Sequence, residues 1–108
     1  DRGLIEIKTM SPYRHVKYGS RAIVPPEHMA QLQAGLFVSG RDWIDFISWC
    51  PGLPMWTRRV VRDSVWQLTI QDVVEAAAQS IAEMVSDFEA ATAGMPTPEI
   101  IDYDEIRI

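Results

Sequence analysis

The sequence predicts an α/β fold, a mixed central sheet flanked by helices. Three observations predict it: a short strand-like segment at the start, two apolar runs either side of a Pro-Gly-Leu-Pro turn, and a sustained helical period in the last third. Leu4 to Lys8 is the first strand, and its period of two puts Leu4, Glu6 and Lys8 on one face and Ile5 and Ile7 on the other. Asp1-Arg2-Gly3 reads as a turn with no earlier strand to pair with, so an upstream segment is expected. Met10 to Pro26, with Pro12, Gly19, Pro25 and several cations, is expected to be a loop. Pro25-Pro26-Glu27 opens a helix that stops near Ser39-Gly40, with Met29, Leu32 and Leu36 as its apolar stripe and His28, Gln31 and Gly35 on a neighbouring face. Arg41 to Cys50 is apolar on both sides apart from Asp45 and Ser48, which predicts a central strand buried on both faces. Met55 to Arg62 returns after the turn as a hairpin partner.

From Thr69 the period changes. Ile70, Val73, Val74, Ala77, Ile81, Met84, Val85 and Phe88 take the i, i+3, i+4, i+7 spacing of an amphipathic helix. Thr69 with Asp72 is expected to cap its start, and Gly94 and Pro96 its end. This helix is expected to cover one sheet face while the Gln31 helix packs on the other. The acidic tail from Pro98 to Ile108 is expected to be an edge strand or a docking segment. Residues 1–67 and 68–108 are read as two parts of one domain.

Composition narrows the function. With 47% hydrophobic and 23% charged residues, the 108-residue chain is that of a packed domain. The apolar runs fall far short of the roughly 20 residues that cross a bilayer, and no basic-then-apolar leader opens the chain, so a soluble, cytoplasmic protein with no membrane partner is expected. The lone Cys50 has no second thiol with which to form a disulfide or a zinc site, and a buried thiol is expected. The net charge of −5 is unevenly spread. Residues 1–67 carry nine basic and six acidic residues, net +3, while residues 68–108 carry one basic and nine acidic, net −8. The first segment can face a phosphate backbone while the second keeps the protein in solution.

The chemistry sits on Glu6-Ile7-Lys8. Two residues apart on a strand, a carboxylate and an ammonium project from the same face, where the first can bind a divalent cation and the second can hold a water or a phosphate. Taken alone, such a pair also describes two solvated side chains. The residues C-terminal to it narrow the choice: a basic loop, then His28-Met29-Ala30-Gln31-Leu32-Gln33-Ala34-Gly35-Leu36, then Trp43-Ile44-Asp45-Phe46 running to Leu53-Pro54. Together with Gly3 to Thr9, that series over residues 3–63 resembles the lambda exonuclease and YqaJ-like viral recombinase family of the PD-(D/E)xK nucleases.

The resemblance implies a restriction-endonuclease-like core, of which this chain is the C-terminal part. It implies an Mg²⁺-dependent exonuclease, with Mn²⁺ as a possible substitute, that degrades one strand of linear duplex DNA 5′→3′ for phage-type recombination by single-strand annealing. Glu6 and the Ile7 carbonyl would bind metal, Lys8 would orient the attacking water, and Gln31 would position the water or the lysine. Arg14 would meet DNA and His28 would stand behind the site. A homotrimer, an annealing-protein partner and a phage or prophage origin are implied too. The family's other acidic ligand, about ten residues before the Glu-x-Lys strand, has no counterpart, and Asp1 is too close to Glu6 to serve. The isolated chain is therefore expected not to cut DNA. The alternatives are a non-catalytic DNA-binding or assembly module with a nuclease fold, or another restriction or repair nuclease of the superfamily. Arg58, Arg59 and Arg62 are read as a charged strand edge in preference to phosphate contacts, and at least two of Trp43, Trp49, Trp56 and Trp66 as core.

Overall fold

The computed structural model describes residues 3–101. The chain divides near residue 75 into two units. In the first unit, β1 (Gly3–Thr9) is succeeded by α1 (Pro12–Gly19), then by a 3₁₀ turn (Pro26–His28) that leads into α2 (Met29–Ser39), β2 (Trp43–Trp49) and β3 (Trp56–Val61). The long helix α3 (Ser64–Ala91) begins there and continues into the second unit.

The sheet is mixed, in the order β1-β2-β3. β1 runs parallel to β2, with Glu6 opposite Phe46 and Lys8 opposite Ser48, and β2 runs antiparallel to β3, with Asp45 opposite Arg59. A parallel pair cannot be closed by a tight turn, and here α1 and α2 make the crossover. Gly3 lies opposite Trp43, whose indole occupies the space a side chain at position 3 would need. Gly40 ends α2 in the left-handed region at φ 65°, donating its N–H to Leu36 O at 3.1 Å.

One sheet face meets the α2 stripe. Leu32, Leu36, Ile44 and Phe46 are buried with Met10 and Val24, and Leu4, Met29, Trp56 and Val60 pack against them. Two polar side chains are buried beside this core. Gln33 donates to Val61 O at 2.8 Å and accepts from the Asp63 N–H at 3.1 Å and from Gln67 Nε2 at 2.9 Å. It therefore ties α2 to the end of β3 and the start of α3. The other is His15 of α1, which is 3% exposed. Cys50 is buried, as expected.

Several expectations are corrected. The basic loop contains α1: Pro12 stands in the first turn, where its missing N–H costs nothing, and Ser11 precedes it in an extended conformation. β2 is buried on one face only. Ile44, Phe46 and Ser48 are buried, whereas Trp43, Asp45 and Ile47 are half-buried and Trp49 is exposed. None of the four tryptophans is fully buried, and only Trp56 packs against the core cluster. α3 starts at Ser64, with Asp63 Oδ1 accepting the Trp66 N–H at 3.0 Å as its cap. Thr69 lies inside the helix and donates back to Val65 O at 2.8 Å.

No residue of α3 is buried, and Val73, Val74, Ile81, Met84, Val85 and Phe88 are exposed. Beyond Gly94, residues 95–101 have no regular structure, and the rest of the expected edge strand lies outside the described residues, as does Asp1. No helix among the described residues is long and apolar enough to cross a membrane.

Candidate active site

The alternation of β1 sends Leu4 into the core and sets Glu6 and Lys8 beyond it on the same face, while Ile5 and Ile7 are 65% and 62% exposed on the opposite one. The face carrying the charges is thus the inner one. α2 crosses that face and brings Gln31 to the pair, 25 residues from Glu6 along the chain. The three side chains close a ring. Lys8 Nζ lies 2.8 Å from Glu6 Oε1 and donates to Gln31 Oε1 at 2.8 Å, and Gln31 Nε2 donates to Glu6 Oε1 at 3.1 Å. The amide of Gln31 is oriented by this chemistry, its oxygen toward the ammonium and its nitrogen toward the carboxylate. An ammonium has three N–H donors. Two are directed at Glu6 and Gln31, and among the described residues the third is available to a phosphate oxygen or a water.

Glu6 and Lys8 each keep about a quarter of their side-chain surface exposed, so the ring can be reached by a substrate. Its floor is aromatic. Phe46 is the cross-strand neighbour of Glu6, and the His28 ring stacks on it with centroids 5.6 Å apart. Burial lowers the pKa of His28 below its ordinary value; the positive charges of Lys8 and Arg14 lower it further, against a smaller opposing effect of Glu6.

These effects favour the neutral imidazole of His28 over the imidazolium. A histidine with a depressed folded-state pKa stabilises the fold above its unfolded value of about 6.5, and that contribution is lost as pH falls through the lower folded value. Wild type is expected to lose more of its melting temperature between about pH 7.5 and pH 5 than His28→Gln does. A constant difference between the two melting curves across that window would refute the assignment.

Arg14 stands apart from the ring. It is on α1, half-exposed, and forms an ion pair with Glu27 in the turn before α2 while its guanidinium lies 5.5 Å from the Tyr18 ring centroid. α1 is fixed from beneath by the buried His15. His15 Nε2 lies 2.9 Å from Pro54 O, and because a carbonyl only accepts, this nitrogen carries the proton; Nδ1 meets Ser48 Oγ at 2.8 Å. Trp56 Nε1 donates to His15 O at 3.1 Å. Nothing in the local sequence marked His15 as an anchor, since its partners lie 33 and 39 residues away.

Arg59 of β3 and Arg62, just beyond it, have partners as well. Arg59 makes a two-pronged contact with Asp45 at 2.8 Å and 2.8 Å, which holds the Asp45 carboxyl below the usual range, and its guanidinium stacks 3.5 Å from the Trp43 ring centroid. Arg62 donates to Gln67 at 3.0 Å.

The described residues do not by themselves make a metal centre. No group of three or more His, Cys, Asp or Glu among them could hold an ion. Glu6 is the carboxylate of the ring, and the Ile7 side chain faces the other way, leaving only its main-chain carbonyl as the second expected donor. One carboxylate and one carbonyl are a small share of the oxygen shell that a hard divalent cation takes up.

No protein-family model matches the chain, and no curated protein sequence matches it. Solved structures do. The chain is similar to the alkaline exonuclease LHK-Exo from Laribacter hongkongensis, with a TM-score of 0.77 and 27% sequence identity over 89% of this chain and 52% of that one. It is similar to LHK-Exo in complex with dAMP, with a TM-score of 0.75 and 27% identity over 89% of this chain and 51% of that one. The chain thus spans about half the length of LHK-Exo. The likeness supports the nuclease resemblance read from residues 3–63, and what the two proteins share is an α/β exonuclease fold over that half.

Proposed function

We propose that this chain is the Glu-x-Lys half of a DNA exonuclease that removes nucleotides from the ends of linear duplex DNA. The observation that carries the reading is the closed ring of Glu6, Lys8 and Gln31, assembled from a strand and a helix on a fold shared with an alkaline exonuclease. Phosphodiester hydrolysis needs charge stabilisation at the phosphate and an oriented water. Lys8 supplies a positive charge with one N–H beyond those that meet Glu6 and Gln31, and Gln31 keeps that ammonium from collapsing onto Glu6 alone. In this reading the cofactor is Mg²⁺, with Mn²⁺ as a substitute. Glu6 and the Ile7 carbonyl contribute to its site, and a further carboxylate comes from outside the described residues, as does the rest of the cleft. Arg14 contacts the DNA after leaving Glu27. Digestion 5′→3′, a ring of three subunits and delivery of the remaining strand to an annealing protein belong to the same proposal, and rest on the family resemblance alone.

The test uses protein expressed from the uninterrupted native gene, incubated with Mg²⁺ and either linear or covalently closed circular duplex DNA. Linear DNA should be shortened progressively and the circle left intact. Nicking of the circle would assign the fold to an internal-cutting nuclease. No cleavage of either in Mg²⁺ or Mn²⁺ would favour a non-catalytic DNA-binding module.

A further inference from the structure

The exposed side of α1 and the turn at its end carry a concentration of charge and aromatic surface that the ring does not use. From Pro12 to Arg21 the chain reads Pro-Tyr-Arg-His-Val-Lys-Tyr-Gly-Ser-Arg, with three permanent cations and no acidic residue. Lys17 Nζ lies 5.9 Å from the Tyr13 ring centroid and 5.4 Å from that of Tyr18, and Arg14 also lies against the Tyr18 ring. Tyr13 is 74% exposed. Lys17, Tyr18, Ser20, Arg21, Ile23 and Pro26 line a surface hollow beside the helix end.

This surface is held in place. His15 anchors α1 to Ser48 and Pro54, and the turn after the helix is closed by the N–H groups of Arg21 and Ile23 on Tyr18 O at 3.3 Å and 3.1 Å, with Ala22 in the left-handed region at φ 47°. The Arg14–Glu27 pair joins α1 to the turn next to His28, and only Met10 and Ser11 separate α1 from the strand that bears Lys8. α1 is thus tied to the elements that carry the ring both along the chain and through this ion pair.

We propose that Tyr13, Lys17, Tyr18 and Arg21 form a track for single-stranded nucleic acid, with phosphates on Lys17 and Arg21 and bases stacked on the tyrosine rings. Cations interleaved with exposed aromatic rings suit a single strand, because each base offers a face for stacking and each phosphate a charge. A duplex keeps its base faces stacked within itself and would use the cations alone. The track deepens the exonuclease reading and rests on it for the choice of nucleic acid as the ligand, since a nuclease working from an end must guide one strand away from the other.

The experiment is fluorescence anisotropy of the 108-residue chain with a labelled oligo(dT) and with a blunt duplex, in EDTA so that no cleavage occurs. Circular dichroism of each variant checks folding. Wild type should bind the single strand more tightly than the duplex. Tyr18→Ala should weaken single-strand binding about tenfold, and Tyr18→Phe, which keeps the ring, should bind as wild type does. Lys17→Ala with Arg21→Ala should reduce the salt slope of log K by about 1.4, as loss of two phosphate contacts requires, while Arg41→Ala leaves it unchanged. The track is refuted if Tyr18→Ala binds like wild type, if the double variant keeps the full slope, or if the duplex is preferred. The expected binding pattern, together with no digestion of linear duplex in Mg²⁺ or Mn²⁺ by protein expressed from the native gene, would sink the exonuclease reading and keep the track.

Discussion

Lys8→Ala, in protein from the native gene, is expected to slow digestion of linear duplex DNA by about 10²- to 10³-fold, the loss typical of removing one preorganised donor from a developing negative charge. The effect should fall on kcat, with little change in KM, because a phosphate in the ground state has other cations to bind while the transition state depends on this one. Two contacts hold the ammonium in place, one to Glu6 and one to Gln31, each at 2.8 Å. Lys8→Arg should not restore the rate. A planar guanidinium cannot place a single donor where a compact ammonium stood between a carboxylate and an amide oxygen. Gln31→Leu should lose less than Lys8→Ala, since it removes the support and leaves the charge. Single-turnover digestion with all three variants, each shown to be folded, decides the matter. Equal rates for wild type and Lys8→Ala would reduce the ring to a solvated ion pair.

The sequence revealed the face of Glu6 and Lys8 because a strand's alternation is local, and Leu4 fixes which face is inner. It also yielded the α2 stripe and the mixed character of the sheet. It did not yield α1, because Pro12 and Gly19 punctuate an eight-residue helix in the same way as they would punctuate a loop, and the residue that commits the segment to a helix is His15, whose partners arrive from β2 and the turn before β3. Nor could periodicity predict the one-sided burial of β2. Trp43, Ile47 and Trp49 have the composition of a buried face, yet Trp43 and Ile47 are only half-covered and Trp49 is exposed. Pattern alone puts the start of α3 five residues late because Thr69 and Asp72 imitate a capping pair, whereas Asp63 performs the capping directly after β3. In the site, Gln31 and Gln33 are two residues apart on one helix and look equivalent in sequence. The helical twist sends the first to the ring and buries the second against the end of β3, so only one of them can take part in chemistry.

Phe46→Ala should cost about 3–5 kcal/mol of stability, measured by denaturant unfolding at pH 7.5, because the ring is completely buried and its removal leaves a cavity in addition to the lost transfer energy. In a domain whose total stability is of the order of 5–15 kcal/mol, that leaves little in reserve. Phe46 also underlies the site. It stands opposite Glu6 on the neighbouring strand, stacks under His28 and lies 5.8 Å from Trp56, which in turn holds the backbone of His15. Core and site are therefore coupled through one side chain, and a packing change should reach the chemistry. Phe46→Leu separates the two effects. It keeps most of the apolar volume and should cost on the order of 1 kcal/mol, but it takes away the aromatic surface on which the His28 ring stacks. In that variant the pKa of His28 should rise toward its ordinary value, so that the loss of stability on acidification becomes smaller than in wild type. If Phe46→Ala loses less than about 1 kcal/mol, the core is not built on this residue. If Phe46→Leu keeps the wild-type acid response, burial against Phe46 is not what lowers the His28 pKa, and the charges of Lys8 and Arg14 must do so.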